Sequence, residues 1–409
     1  MKNPNPKWLQ IFLLFVVYTS STISTNCLPF FFPEIVKEFG WSIGKVSEPN
    51  SYYFIIIALF APLVGFLLSK TKPKTLMLFG ISLAFISELT LARMTNYAQF
   101  FGIYVALSVA ITFSGLIPSM VIITNWFDKQ RGIAVGIFLL GSSFGGIIFP
   151  QFAKTLMLNY DMNWRDALTG VACLGALVSF IPLFFIKNEP NFSTKTIHSS
   201  IQNEGISLSE AFKTNTFYVL LIITASFWFC GFGVLSHLRL YLNEHNFNLT
   251  DAANISSIFF IFSIIGKLFF GYISDRFNKQ NILILATICL ILGIVCLKFI
   301  DANVDLAYAY AVAYGFGYSG AFAMIQLTVA DVYQGKSFSK VLGFVNAFDS
   351  LGGFIGVRLL GYLHDTDKNY DSGINSLLSV CCVALLAALL LKTMSLKSLK
   401  NTIENFPKV

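Results

Sequence analysis

Apolar runs of about 20 residues, the length that crosses the hydrocarbon of a bilayer, recur along this 409-residue chain. Within each run the hydrophobicity is continuous and does not alternate residue by residue, which predicts helices and not barrel strands. Twelve spans follow, over 8–32, 46–69, 75–95, 98–126, 131–158, 165–186, 214–242, 250–274, 281–300, 304–331, 340–363 and 373–392. Their one long interruption, Lys187–Lys213, is rich in Ser, Asn, Lys and Glu, with an amphipathic turn near Leu208–Phe212. The predicted organisation is a six-helix bundle at 1–186, a cytoplasmic linker at 187–213, and a second bundle with a short tail at 214–409. The fold class is an all-α membrane protein with twelve transmembrane helices in two pseudo-symmetric bundles.

Composition leaves little room for a soluble reading. Only 12% of residues are charged and 55% are hydrophobic, against about 25% charged in soluble proteins. Mean hydropathy is +0.69. A net charge of +7 would suggest nucleic acid in a soluble chain. Here the basic residues sit mostly in short loops and report orientation in the bilayer. With the N-terminus cytoplasmic, the inner loops hold Lys70, Lys72, Lys74, Lys129, Arg131, Arg276, Lys279, Lys336 and Lys340, whereas the outer side is sparser. Both termini are expected inside, at a bacterial inner membrane. The apolar run after Lys7 has no small-residue cleavage site, so the first helix is expected to stay. The seven cysteines lie almost all in apolar runs and read as small core hydrophobes.

The halves repeat. Gly40–Lys70 aligns without a gap on Asn246–Arg276, at an offset of 206 residues, matching Gly65 to Gly271, Ser69 to Asp275 and Lys70 to Arg276. At an offset of 207, Gly136 matches Gly343, Ser142 matches Asp349, and Gly145-Gly146 match Gly352-Gly353. Parallel repeats of this kind place a substrate site near the bilayer midplane between them.

The segment Gly271-Tyr-Ile-Ser-Asp275-Arg276-Phe-Asn-Lys279 resembles the loop signature of the major facilitator superfamily, with a degenerate copy at Gly65-Phe-Leu-Leu-Ser69-Lys70. Several pieces resemble the branch of monocarboxylate transporters and oxalate–formate antiporters. They are Phe39-Gly40-Trp41-Ser42, the stretch Trp126 to Gly136, Gly141-Ser142-Ser143-Phe144-Gly145 with Pro150, and Asn163-Trp164-Arg165. The acidic-glycine signature of animal monocarboxylate carriers in the first helix is missing, as is the fourth-helix arginine of proton-coupled drug exporters. The resemblance implies alternating access by rocking of the halves, usually as a monomer, and a cytoplasmic latch. Its candidate gating residues are Gly65, Lys70, Gly271, Asp275, Arg276 and Lys279, with Arg131 and Asp331 as partners by loop side. Lys267 falls where that branch carries the arginine that meets a substrate carboxylate. At Asp349 the oxalate-exchanging relatives tend to carry a lysine, so this chain reverses the sign.

The residues themselves point the same way. A lysine inside an apolar span is costly, about 2.5–3.5 kcal/mol on insertion scales, and such residues face a watery cavity or a carboxylate. Lys267 is therefore a candidate anion contact, with a structural ion pair as the alternative. Asp349 can carry a proton, hold an amine, or neutralise Lys267. Arg358, nine residues on, lies on nearly the opposite helix face at about 100° per residue, which favours a gate or an interhelical pair. His237 suits proton sensing, or a hydrogen-bonded place in the wall. Thr22 and Asn26 share a face of the first span and can orient a substrate or bridge helices. Tyr318 is a further lining candidate. Glu88 is read as an interhelical bond.

These residues predict a secondary transporter for a small carboxylate-bearing solute, coupled to protons and needing no cofactor or metal. Two alternatives stand beside it: an amino-acid or siderophore transporter of the same fold, and a non-transporting membrane sensor. There is no nucleotide-binding loop or metal-ligand cluster, and His198, His237, His245 and His364 are scattered, so an enzyme is not expected.

Overall fold

A computed structural model describes residues 6–127, 130–188, 208–274, 276–333 and 338–404. The first span is a broken track: α1 (Pro6–Ser21), α2 (Ile23–Asn26), a 3-10 turn (Leu28–Phe31) and α3 (Phe32–Phe39). Then come α4 (Ile43–Leu68), α5 (Pro73–Leu91), α6 (Tyr97–Ser114), α7 (Leu116–Trp126), α8 (Arg131–Asn159) and α9 (Trp164–Phe185). A short α10 (Leu208–Ala211) precedes α11 (Asn215–Glu244), α12 (Leu249–Ser274), α13 (Lys279–Lys298), α14 (Asp305–Val332), α15 (Phe338–Asp367) and α16 (Asp371–Glu404). Among the described residues nine helices are long and apolar enough to cross a membrane, counting α6 and α7 as one. The first track, α14 and α15 complete the twelve.

Two spans differ from the continuous helices that hydropathy suggests. Pro29 has no N–H to offer the carbonyl of Thr25 four residues back, and the chain tightens into a 3-10 turn there. The 98–126 span breaks at Gly115, whose backbone sits at φ −88°, ψ −127°. Loop ends are capped in the expected way: Asn96, Asn163 and Asn278 accept amide hydrogens from the first turns of α6, α9 and α13.

The halves meet along two seams, α4 against α15 and α8 against α12. We call the end holding Gly40–Ser42 and Asp367–Tyr370 the far end, and the opposite one the linker end. Burial along each seam changes with depth. On one face of α4, Gly44, Ser47, Ser51 and Phe54 are buried, whereas Pro62, Gly65 and Ser69 are exposed. On α8, Ser143 and Gly146 are buried while Gly132 and Gly136 are exposed; on α12, Ser257, Phe260 and Ser263 give way to exposed Gly271. The molecule is closed at the far end and open toward the linker.

Candidate functional site

Lys267 stands near the point where the α8–α12 seam opens. Glycine at 266 lets α12 approach α14 closely: a Cβ there would lie 2.7 Å from the carbonyl of Phe316. That packing fixes the helix rotation that aims Lys267 at the first half. Its Nζ donates to Ser143 Oγ at 2.8 Å, Leu139 O at 3.3 Å and Ser142 Oγ at 3.4 Å, all on α8. All three partners are neutral oxygens. Among the described residues no carboxylate lies within ion-pair distance of it.

Asp349 is half-buried on α15 and is held by neutral donors of α11, the hydroxyl of Thr224 and the indole of Trp228. Lys267 and Asp349 therefore stand as separate charges, each with its own neutral cradle. Trp228 stacks on Phe232 at 4.7 Å and meets Tyr318 edge-on at 6.4 Å. Tyr318 also packs against Phe227 and Phe259. Its hydroxyl comes within electrostatic range of Tyr18 in the other half, so aromatic residues from both halves border the same level.

The other candidates separate by depth. Asn26 spends its amide on the Ser142 carbonyl at 2.9 Å, and Thr22 bonds back to Thr19 O at 3.1 Å against α8. Asn26 thus ties the first track to α8, while the Thr22 hydroxyl bonds within its own track beside Gly145. His237, buried at 2% exposure, is fixed in the wall of α11 by Tyr370 Oη at 2.9 Å and the Val357 carbonyl at 3.0 Å. Arg358 reaches Glu48 of α4 at 3.0 Å.

At the linker end, Gly65 and Gly271 face open space. Lys70 and Arg276 each lie over an aromatic ring of their own helix end, Phe66 at 4.4 Å and Tyr272 at 4.5 Å. Lys279 opens α13. Asp275 and the side chains of Arg131 and Asp331 lie outside the described residues.

Several far-end residues had no place in the sequence reading. Glu48 accepts from Tyr97 Oη at 2.8 Å as well as from Arg358. Asp365 caps the start of α4, accepting from Ser42 Oγ at 2.5 Å and Gly44 N at 3.1 Å. Arg239 pairs with Glu34 at 3.4 Å, and Asn50 donates to Ser236 at 2.7 Å. On the other seam, Gln151 donates to Asn254 and Ser257 at 3.1 and 2.8 Å. The one sequence signal for the first group was Glu48 itself, an acid next to Pro49 at the edge of a span.

Two six-helix halves joined at one end, with isolated charges at the apex of the opening, define a polytopic transporter. The family follows from comparison. The Major Facilitator Superfamily profile matches residues 14–357 and 241–407, and the chain belongs to that family. It is 25% identical to monocarboxylate transporter 13 of Rattus norvegicus, over 90% of this chain and 85% of that one. It is 23% identical to monocarboxylate transporter 12 of Xenopus laevis, covering 89% and 84%. The fold is similar to that of a bacterial homologue of the human lysosomal transporter Spinster, solved in an inward-facing, unoccupied conformation. That match has a TM-score of 0.71 and 17% identity, over 98% of this chain and 99% of that one. The protein is a transporter and not an enzyme.

Proposed function

We propose that this protein moves a small organic solute bearing a carboxylate, by alternating access, with Lys267 as the contact for the anion. The observation that carries this reading is the cradle of Lys267. A cation that, among the described residues, is held by neutral oxygens, where the halves part, has its ionic valence open. A carboxylate arriving there offers a charge-assisted hydrogen bond in place of neutral ones. Because the cradle belongs to α8 and the lysine to α12, a solute bound there touches both halves at once. Sequence similarity to monocarboxylate transporters agrees with that chemistry.

Asp349 is the candidate for the coupled proton. Its partners, Thr224 and Trp228, are donors that can serve a carboxylate, and no cation holds it among the described residues. The excess of basic residues in the linker-end loops supports a cytoplasmic placement of that end, in which the described conformation is the inward-open one. A second reading rests on the same separation of charges. Lys267 and Asp349, unpaired, offer one group each to a zwitterion such as an amino acid.

The test is a thermal-shift panel of lactate, oxalate, citrate and neutral amino acids on the purified protein, followed by uptake in liposomes. Loss of a charge-assisted bond is worth roughly 1.5–3 kcal/mol, so Lys267→Ala should weaken binding of the stabilising acid roughly 10- to 100-fold. Lys267→Arg should retain much of it. Unchanged binding in Lys267→Ala would remove this residue from the site. Stabilisation by amino acids alone, lost in Asp349→Asn, would favour the zwitterion.

A further inference from the structure

The first half hides an acid that the scheme above does not use. Glu88, on α5, is 5% exposed and makes no hydrogen bond or ion pair among the described residues. An ionised carboxylate left unpaired in apolar surroundings is strongly unfavourable. In this conformation the side chain is therefore best accommodated as a neutral acid.

Its surroundings are more polar than a lipid-facing helix requires. Cys27 and Tyr53 lie within electrostatic range of Glu88. Tyr53 shares a 3.1 Å hydrogen bond with Ser24. Tyr104, in range of both Tyr53 and Cys27, is 1% exposed and its hydroxyl has no hydrogen-bond partner among the described residues. These groups come from α5, α4, α6 and the break in the first track around Cys27. From α9 the nearby charge is Arg165, which is drawn to the surface by Glu38 and to the Ala92 carbonyl at 2.9 Å.

Toward the far end, α4 and α6 carry Glu48 and Tyr97. Glu48 is five residues before Tyr53 on α4, and Tyr97 is seven before Tyr104 on α6. At 1.5 Å per residue these are rises of about 7.5 and 10.5 Å. Tyr97 Oη donates a hydrogen bond to Glu48 at 2.8 Å.

We propose that Glu88, with the hydroxyls of Tyr53 and Tyr104, is a proton-binding site of the first half. It loads from the far end past Glu48 and Tyr97 and is separate from the Lys267 and Asp349 site. Protonation and release occur at the Glu88 carboxylate, with the tyrosine hydroxyls supplying hydrogen bonds to its charged form. No bond other than O–H is made or broken.

Dicyclohexylcarbodiimide tests this directly, because it adds to buried carboxylic acids and not to carboxylates, and needs no knowledge of the solute. The full-length protein in liposomes would be treated on the acid and alkaline sides of neutral pH, and the adduct mapped by mass spectrometry. Expected are an adduct on Glu88 that forms severalfold faster on the acid side, slower formation in Glu48→Gln, and wild-type formation in Asp349→Asn. Glu88→Gln, isosteric with the acid form, should lose that adduct while remaining folded by size-exclusion chromatography. A Glu88 that stays unmodified, or reacts at one rate across the pH range, would overturn the proposal. So would a rate that collapses in Asp349→Asn, since the two sites would then not be separate.

Discussion

The two seams between the halves are built from different chemistry. Along α4 and α15 the contacts are ionic: Glu48 with Arg358 at 3.0 Å, and Asp365 capping α4 through Ser42 and Gly44. Along α8 and α12 they are neutral amides and hydroxyls, Gln151 with Asn254 and Ser257, and Ser143 with Ser263 at 3.5 Å. Lys267 also crosses this seam, donating to neutral oxygens of α8. The difference assigns a division of labour. An ionic seam at the far end can be loosened by water when it parts, because each charge there is hydrated once exposed. Next to this seam, Lys267 has no counter-charge among the described residues.

The largest test of the division is steric. Gly44 and Gly361 let α4 and α15 touch: a Cβ on Gly361 would stand 2.8 Å from the Gly44 Cα, and one on Gly44 would stand 2.9 Å from the Gly361 carbonyl. Backbone atoms cannot yield as a side-chain tip can. Gly361→Val should therefore prise the ionic seam apart and shift most molecules to a far-end-open state. Spin labels at Met162 and Ala302, exposed loops of opposite halves, should report a longer distance. An unchanged distance distribution would mean that this seam does not hold the far end shut.

A smaller effect is expected from the ion pair itself. Arg358 and Glu48 keep 43% and 24% of their side-chain surface, and pairs so accessible are worth about 1 kcal/mol at most, or roughly a fivefold population change. Arg358→Gln should move the same spin-label distribution partway, and Glu48→Gln added to it should contribute little more. If the double variant exceeded the sum of the singles, the two residues would be acting on the far end separately.

Much of this was legible in the sequence, for a physical reason. Long apolar runs and the 206-residue repeat are one-dimensional signals, and a charge such as Lys267 stands out because burying it is costly; most of the expected linker, 189–207, lies outside the described residues. What could not be read was rotation and crossing. Whether Lys267 meets Asp349 depends on which way α12 and α15 turn, and the Glu48–Arg358 pair joins residues 310 positions apart. His237 could have sensed protons or filled the wall, and only the positions of Tyr370 and Val357 give it a structural place. The break at Pro29 was masked because the residues around it are as apolar as a continuous helix would be.

The mildest test uses an ion pair that does not cross the halves. Arg165 and Glu38, 2.6 Å apart at the far end, both belong to the first half, and Trp164 Nε1 donates to the same carboxylate at 2.6 Å. The hydrogen bond from Arg165 holds the Glu38 carboxyl below its ordinary value of 4.5. Because the folded-state value is the lower one, the pair's contribution to stability is present above about pH 4.5 and is lost as pH falls below it. Glu38→Gln should lower the melting temperature slightly at neutral pH, and the gap to wild type should narrow in acid. The spin-label distance between Met162 and Ala302 should stay where it is. Were Glu38→Gln to open the far end as Arg358→Gln does, ionic character alone would explain the gating, and crossing between the halves would not be what distinguishes the α4–α15 seam.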